Sequence, residues 1–171
     1  MTAVTARSSL ESSPYINVYD LINTRSNISD PRDPASNKGR KFVYDADSLH
    51  LAIDFSQMPY IIVELPTLDY SRMSADGRTK TITWRQRILV RTARDGAANS
   101  RTDQGRTDML NICDDLTVMF NSLSTRQDFS NLRMKFVNLR KVRTDAITID
   151  QKYVYESEYQ LQYSERIQVS A

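Results

Sequence analysis

Thr81-Ile-Thr-Trp-Arg-Gln-Arg-Ile-Leu-Val-Arg-Thr92 alternates apolar and basic side chains: Ile82, Trp84, Ile88 and Val90 fall at even positions, Arg85, Arg87 and Arg91 at odd ones. Successive side chains of a strand point to opposite faces, so this period of two predicts a half-buried antiparallel strand. Downstream, Met109, Ile112, Cys113, Leu116, Met119, Phe120 and Leu123 recur at steps of three and four. That spacing predicts a helix with one apolar stripe. The stripe needs a cover, and the even face of the strand is the nearest one. A helix laid on an antiparallel sheet follows, and the fold class is read as α+β, with an antiparallel β-sheet and helices packed on one face. The predicted core contains Trp84, Ile88, Val90, Ile112, Leu116 and Phe120, joined by Phe136, Tyr159 and Leu161 from later strands.

On the N-terminal side, Pro59-Tyr-Ile-Ile-Val-Glu-Leu-Pro66 is the most apolar run, and prolines at both ends suit a strand. It is expected to pair with Thr81–Thr92 through a polar arm, Thr67–Lys80, that is too long for a tight hairpin turn. Lys41–Tyr44 reads as a short strand, and Asp47–Phe55 as either a short helix or an edge strand. Asn23–Arg40, broken by Pro31, Pro34 and Gly39, is a long irregular connection. Ser13 and Pro14 mark a helix start, and Tyr15, Val18, Leu21, Ile22 and Arg25 give that helix an apolar side. Residues 1–12 are read as a flexible tail and 13–171 as a single α+β domain.

On the C-terminal side, Leu132, Met134 and Phe136 alternate as a strand, and the switch of face at Val137 and Leu139 indicates a bulge or a strand end. Ala146–Ile149 is a short strand or a turn. Tyr153–Val169 is a long two-faced ribbon, with Tyr155, Tyr159, Leu161 and Tyr163 on one side and Glu156, Glu158, Gln160 and Gln162 on the other.

A chain of 171 residues with 26% charged and 40% apolar residues is long enough for one well-filled core. A formal net charge of +2 does not by itself argue for nucleic acid or membrane. One cysteine gives neither a disulfide framework nor a cysteine metal cluster, so a reducing compartment is expected. The first residues lack the apolar core of a signal peptide, and no apolar run approaches membrane-spanning length. A soluble, cytosolic product that does not contact membranes is the expectation.

Catalytic constellations are sparse. His50 and Cys113 are the single histidine and cysteine. Cys113 lies on the apolar helix stripe, where a thiol acts as a small apolar filler. His50 has no visible partner in the sequence. Glu156 and Glu158 share a strand face but are too few to hold a hard cation. Asp114 and Asp115 flank the helix stripe and solvate it. Arg101-Thr-Asp103 and its echo Arg106-Thr-Asp108 precede or open the helix, and capping explains them better than an anion site, because the aspartates would repel an anion. No catalytic residue, metal or cofactor is assigned, and the chain is not read as an enzyme.

Charge placement is more suggestive. Basic residues gather between Arg72 and Arg106 and again from Arg133 to Arg143, whereas the terminal ribbon is acidic on its outer face. Arg72, Arg78, Lys80, Arg85, Arg87, Arg91, Arg101, Arg106, Glu156 and Glu158 are therefore the interface candidates. Separated positive and negative faces suit head-to-tail self-association, which closes into a ring when the rotation allows. The same layout fits a plain solvated surface. A third reading is a small nucleic-acid-binding module using Arg85, Arg87, Arg91 and Lys135, with affinity that falls steeply with salt.

The order of elements carries a resemblance. Tyr60-Ile-Ile-Val-Glu-Leu-Pro66 is followed by the polar arm, the strand Ile82–Thr92, an Arg/Thr/Asp-rich loop, and a helix containing Asp108-Met-Leu-Asn-Ile-Cys-Asp-Asp-Leu116. A mid-length strand and the terminal ribbon complete it. This series, over roughly residues 14 to 169, resembles the tail terminator (tail completion) proteins of long-tailed, lambda-like bacteriophages in element order and size. The resemblance implies a hexameric ring that caps the tail tube, stops its growth and joins it to the head. The implied partners are copies of itself, the tail tube protein and a head-neck or connector protein, in a virion assembled in the host cytoplasm. Another neck or tail-tube protein of the same particle is the near alternative. Under this resemblance Thr67–Lys80 and Ala93–Thr107 become candidates for inter-subunit or tube contacts. Passing DNA is a further contact for any basic residue facing the channel, although the sequence places none there. Asn23–Arg40 departs from the compact pattern of the family.

Overall fold

The computed structural model describes residues 14–24, 28–32, 41–45, 57–94, 103–131, 134–149 and 151–169. Their order is α1 (Pro14–Thr24), β1 (Val43–Asp45), β2 (Tyr60–Val63), β3 (Thr67–Met73), β4 (Thr79–Ala93), α2 (Gln104–Asn121), α3 (Leu123–Asn131), β5 (Met134–Ile149) and β6 (Lys152–Gln168). The α+β class holds. The sheet runs β1-β2-β4-β6-β5, and β3 pairs with β4 beyond the end of β2. It is mixed rather than purely antiparallel, because β1 lies parallel to β2. The expected pairing of the Tyr60 run with the Arg-bearing strand is present, with Ile61 opposite Val90 and Val63 opposite Ile88.

The predicted core residues Ile88, Val90, Ile112, Leu116, Phe120, Tyr159 and Leu161 belong to one buried cluster, with Trp84 and Phe136 packed against it half-buried. The helices contribute Val18, Leu21 and Ile22 from α1, the α2 stripe, and Phe129 from α3 to this same cluster. They therefore cover one face of the sheet. The other face is not wholly solvated: Tyr44, Met58, Tyr60, Ile62, Leu89, Ala93 and Val154 form a second, smaller apolar cluster. The apolar side chain of Leu89 at an odd position of β4 contributes there, where the sequence reading expected a polar face.

The seating of α2 is fixed at its first turn. Asp103 is its N-cap and accepts from the Gly105 backbone N–H at 3.1 Å. The Tyr155 hydroxyl donates to the other Asp103 oxygen at 2.7 Å, which ties the cap to β6. Thr92 donates to the Gly105 carbonyl at 2.7 Å, and a Cβ on Gly105 would stand 1.7 Å from the Ala93 carbonyl oxygen. Only glycine allows the helix start to approach β4 so closely.

The structure sharpens three expectations. The polar arm Thr67–Lys80 is itself paired: β3 and the start of β4 form a hairpin closed over Ser74–Arg78, where Gly77 has φ 68°. Its five-residue turn is held by polar groups, with the Gly77 N–H donating to the Ser74 carbonyl and the Arg78 N–H to Asp76. Second, the central helix stops at Asn121. The Ser122 hydroxyl donates to the Met119 carbonyl and accepts from the Thr125 N–H, ending α2 and capping α3. The break removes Leu123 from the apolar stripe and leaves it 81% exposed, and Phe129 packs in its stead against Phe120, Phe136 and Tyr163 at centroid separations of 5.8–6.4 Å. Third, β5 is one 16-residue strand with register shifts at Phe136/Asn138 and Lys141/Arg143. The switch of face at Val137 is thus a bulge, and Ala146–Ile149 belongs to the same strand.

Ser13, Arg25, His50, the Asp47–Phe55 segment and Leu132 lie outside the described residues, as does most of the Asn23–Arg40 connection.

Candidate functional site

Two surfaces remain as functional candidates: the sheet face opposite the helices, and the β3–β4 hairpin with the end of β6 beside it.

On the sheet face, the rows read as oppositely charged are neighbours. β4 and β6 pair directly, with Arg91 opposite Glu156 and Leu89 opposite Glu158. Directly opposed residues project from the same face, so alternation brings the arginines and glutamates together. Arg91 Nε meets Glu156 at 2.7 Å, and Arg143 from β5 reaches the second Glu156 oxygen at 3.0 Å and Glu158 at 3.0 Å. Arg87 binds Glu64 through Nε at 2.6 Å and lies 4.0 Å from Glu158. Arg85 meets Asp69 at 2.7 Å, and Gln162 donates to the other Asp69 oxygen at 2.8 Å. Asp69 is the residue left over by a register shift in β3, which turns it toward Arg85.

The separation into a positive and a negative face, expected from the sequence, is therefore corrected. Within a single chain Arg85 is neutralised by Asp69, Arg87 by Glu64, and Arg91 and Arg143 by Glu156 and Glu158. Glu156 is only 4% exposed, and a buried carboxylate persists because two guanidiniums hold it. Burial works against the Arg91 charge, but hydrogen bonds to Tyr60 and Glu156 outweigh it and raise the guanidinium pKa. The hydrogen bond to Glu64 is the main cause of the raised pKa of Arg87. The ribbon of Arg85, Arg87, Arg91 and Arg143 faces Glu64, Asp69, Asp145, Glu156 and Glu158, so the charge of these four arginines is compensated within the chain.

The helix side carries buried polar chemistry that the sequence did not signal. Gln86 is fully buried, donates to the Glu64 carbonyl at 2.8 Å and accepts from the Tyr163 hydroxyl at 3.1 Å. Cys113 is buried, 3.7 Å from the Met109 sulfur. The Tyr159 hydroxyl donates to the Cys113 carbonyl at 3.3 Å, and burial first, then the Cys113 side chain, raises its pKa. These groups are satisfied and structural. A cleft of about 550 Å³ between α3 and β5 is lined by Arg126, Ser130, Met134, Lys135, Phe136 and Val137.

The hairpin is different. β3 is exposed along nearly its whole length, and among the described residues it has a strand partner on one side only. Leu68, Tyr70 and Met73 are each about half exposed, and Ile167 and Val169 lie beside them at the end of β6. Register puts Leu68 opposite Trp84, Ser71 opposite Ile82 and Met73 opposite Lys80, with Ile167 across from Lys80 on the far side. Tyr70, Arg72, Thr81 and Arg166 occupy the reverse face. Of the remaining interface candidates, Arg72, Arg78 and Lys80 lie on this hairpin without an ion pair among the described residues. Arg106 is exposed on α2, and Arg101 lies outside the described residues.

No protein-family model matches the chain, and the curated proteins include no significant match to it.

Proposed function

We propose that this chain is a structural assembly protein of a phage virion, a tail terminator whose copies close into a ring, cap the tail tube and present a surface to the head or neck. The observation that carries the reading is the β3–β4 hairpin. A strand edge and apolar side chains on a projecting ribbon are costly in water and invite a covering partner. Supporting this, Arg85, Arg87 and Arg91, the arginines a nucleic-acid-binding module would use, are held in ion pairs within the chain. The mechanism is geometric: hairpins are covered as neighbouring copies join, and the closed ring mates with a tube end.

Size-exclusion chromatography with light scattering, followed by negative-stain imaging, tests the reading. A closed ring of about six subunits is expected, alone or on purified tail tubes. Stacked tubes formed by the chain itself would reassign it to a tube protein of the same particle. A monomer at every concentration, with and without tubes, would overturn the proposal.

A further inference from the structure

The uncovered half of the sheet has a counterpart on the same chain. Within one copy, α2 lies across β4 and β6 with Met109, Ile112, Cys113, Leu116, Met119 and Phe120 turned inward. Its outward face is centred on Asp114, with Leu110 and Val118 one turn away on either side, 50% and 65% exposed. The other exposed residues of this face are Thr107, Asn111, Thr117 and Asn121. A solvated helix usually turns lysines and glutamates outward; this one shows a single charge between two apolar side chains. Depletion of charge with exposed apolar groups is the composition of an interface core. Arg106 lies at one margin of this face and Asp108 and Asp115 at the other. Asp115 is held above the usual carboxylate range by burial and then by Asp114, despite a hydrogen bond from the Ser29 backbone.

The helix-side face of the hairpin has the matching pattern. Lys80 sits between Met73 and Ile167, with Leu68, Ile82 and Trp84 further along the same face. Glu165 is on this face too, but it is buried and accepts from the Trp84 indole at 3.4 Å. One surface therefore presents a lysine among apolar groups and the other an aspartate among apolar groups.

We infer that, in the ring proposed above and resting on that reading, the outward face of α2 of one copy packs on the helix-side face of the β3–β4 hairpin of the next, pairing Asp114 with Lys80. The next copy's helix then covers the distal half of the sheet much as each copy's own α2 covers the proximal half. Like surfaces do not serve: α2 against α2 sets Asp114 on Asp114, and hairpin against hairpin sets Lys80 on Lys80. The contact joins two different patches, and heterologous contacts of that kind generate rings. Arg78 at the hairpin turn, against Asp108 and Asp115 beside α2, adds attraction of the same sign.

A charge-exchange experiment tests this under the conditions in which the wild type forms its ring. Lys80→Glu alone and Asp114→Lys alone are each expected to raise the concentration needed for assembly at least tenfold, with monomer unfolding curves little changed because Asp114 is exposed and Lys80 is partly exposed on the outer ribbon. Mixing the two variants should restore assembly, because each hairpin then meets an oppositely charged helix in an alternating ring. The double variant in one chain should assemble by itself. Leu110→Ser with Val118→Ser should weaken assembly without any rescue by charge. If the wild type forms rings and both single variants do so equally well, this docking is wrong while the ring reading stands. If both variants fail and the mixture does not recover, the Lys80–Asp114 pairing is overturned. A wild type that never assembles removes both proposals.

Discussion

Strands β4 and β6 pass through two unlike halves of the molecule. From Gln86 to Ala93, β4 is mostly buried, covered by α2 on one face and carrying the ion pairs and the second apolar cluster on the other. From Thr79 to Arg85 the same strand is largely half-exposed, β3 beside it is open, and the end of β6 follows suit. Hydrogen-bonded pairing continues without a break from Thr79 opposite Gln168 to Ala93 opposite Val154. Backbone pairing therefore extends well beyond the packed core. The proximal half holds the fold, and the distal half is a ribbon built on it whose side chains contribute little to one copy alone.

The largest contrast follows from that division. Phe120 is fully buried at the junction of α2, α3 and β5, so Phe120→Ala should cost about 3–5 kcal/mol in urea unfolding through lost burial and a residual cavity. Leu68→Ser on the hairpin, at 59% exposure, should change monomer stability by no more than about 0.5 kcal/mol. Comparable losses at both positions would show that the hairpin belongs to the cooperative core.

A second contrast separates the ion pairs by depth. Glu156→Gln removes the charge that holds Arg91, which is itself three-quarters buried, and should cost about 1.5–3 kcal/mol. Glu64→Gln removes the partner of Arg87, whose side chain is 46% exposed, and should cost less than about 1 kcal/mol, a loss that salt reduces further. Equal losses in high salt would contradict the assignment of Glu156 as the interior member of the network.

The proximal half was the more legible in the sequence, for a physical reason. Period two in Thr81–Thr92 and the three- and four-residue steps of Met109–Phe120 are both imposed by burial on one side, and so both survive as patterns. The hairpin is not buried, so β3 shows no alternation that differs from a polar loop. β5 was fragmentary because two bulges shift its register and interrupt the alternation. Its turn into β6 also lacked the usual signal: Gln151, at φ 63°, takes a backbone conformation normally marked by glycine or asparagine. The break at Ser122 rests on one hydroxyl serving two helices, which a continuous apolar stripe conceals. At the candidate site, composition located the charged residues but not their neighbours. Only the β4–β6 register shows that the arginines and glutamates face each other.

The smallest effect probes the interior most finely. The Tyr159 hydroxyl is held in the core against the Cys113 carbonyl, and its pKa is raised above 10.0 by burial first and then by the Cys113 side chain. At neutral pH both folded and unfolded chains keep this proton, so Tyr159→Phe should cost only the hydrogen bond, about 1 kcal/mol. Above pH 10 the unfolded chain releases the proton while the folded chain retains it, so the native state binds more protons and wild-type stability falls as pH rises. The phenylalanine variant lacks this group and escapes its share of the fall. Tyr19 and Tyr155, also shifted upward, are common to both chains and cancel in the difference. The stability difference should therefore shrink from pH 10 and change sign by about pH 11, given about 1.4 kcal/mol per pH unit for one proton. Urea unfolding at stepped pH reads this directly. A difference that stays constant to pH 11 would mean that Tyr159 ionises as readily in the folded chain as in the unfolded one, and that the core between α2 and β6 admits charge.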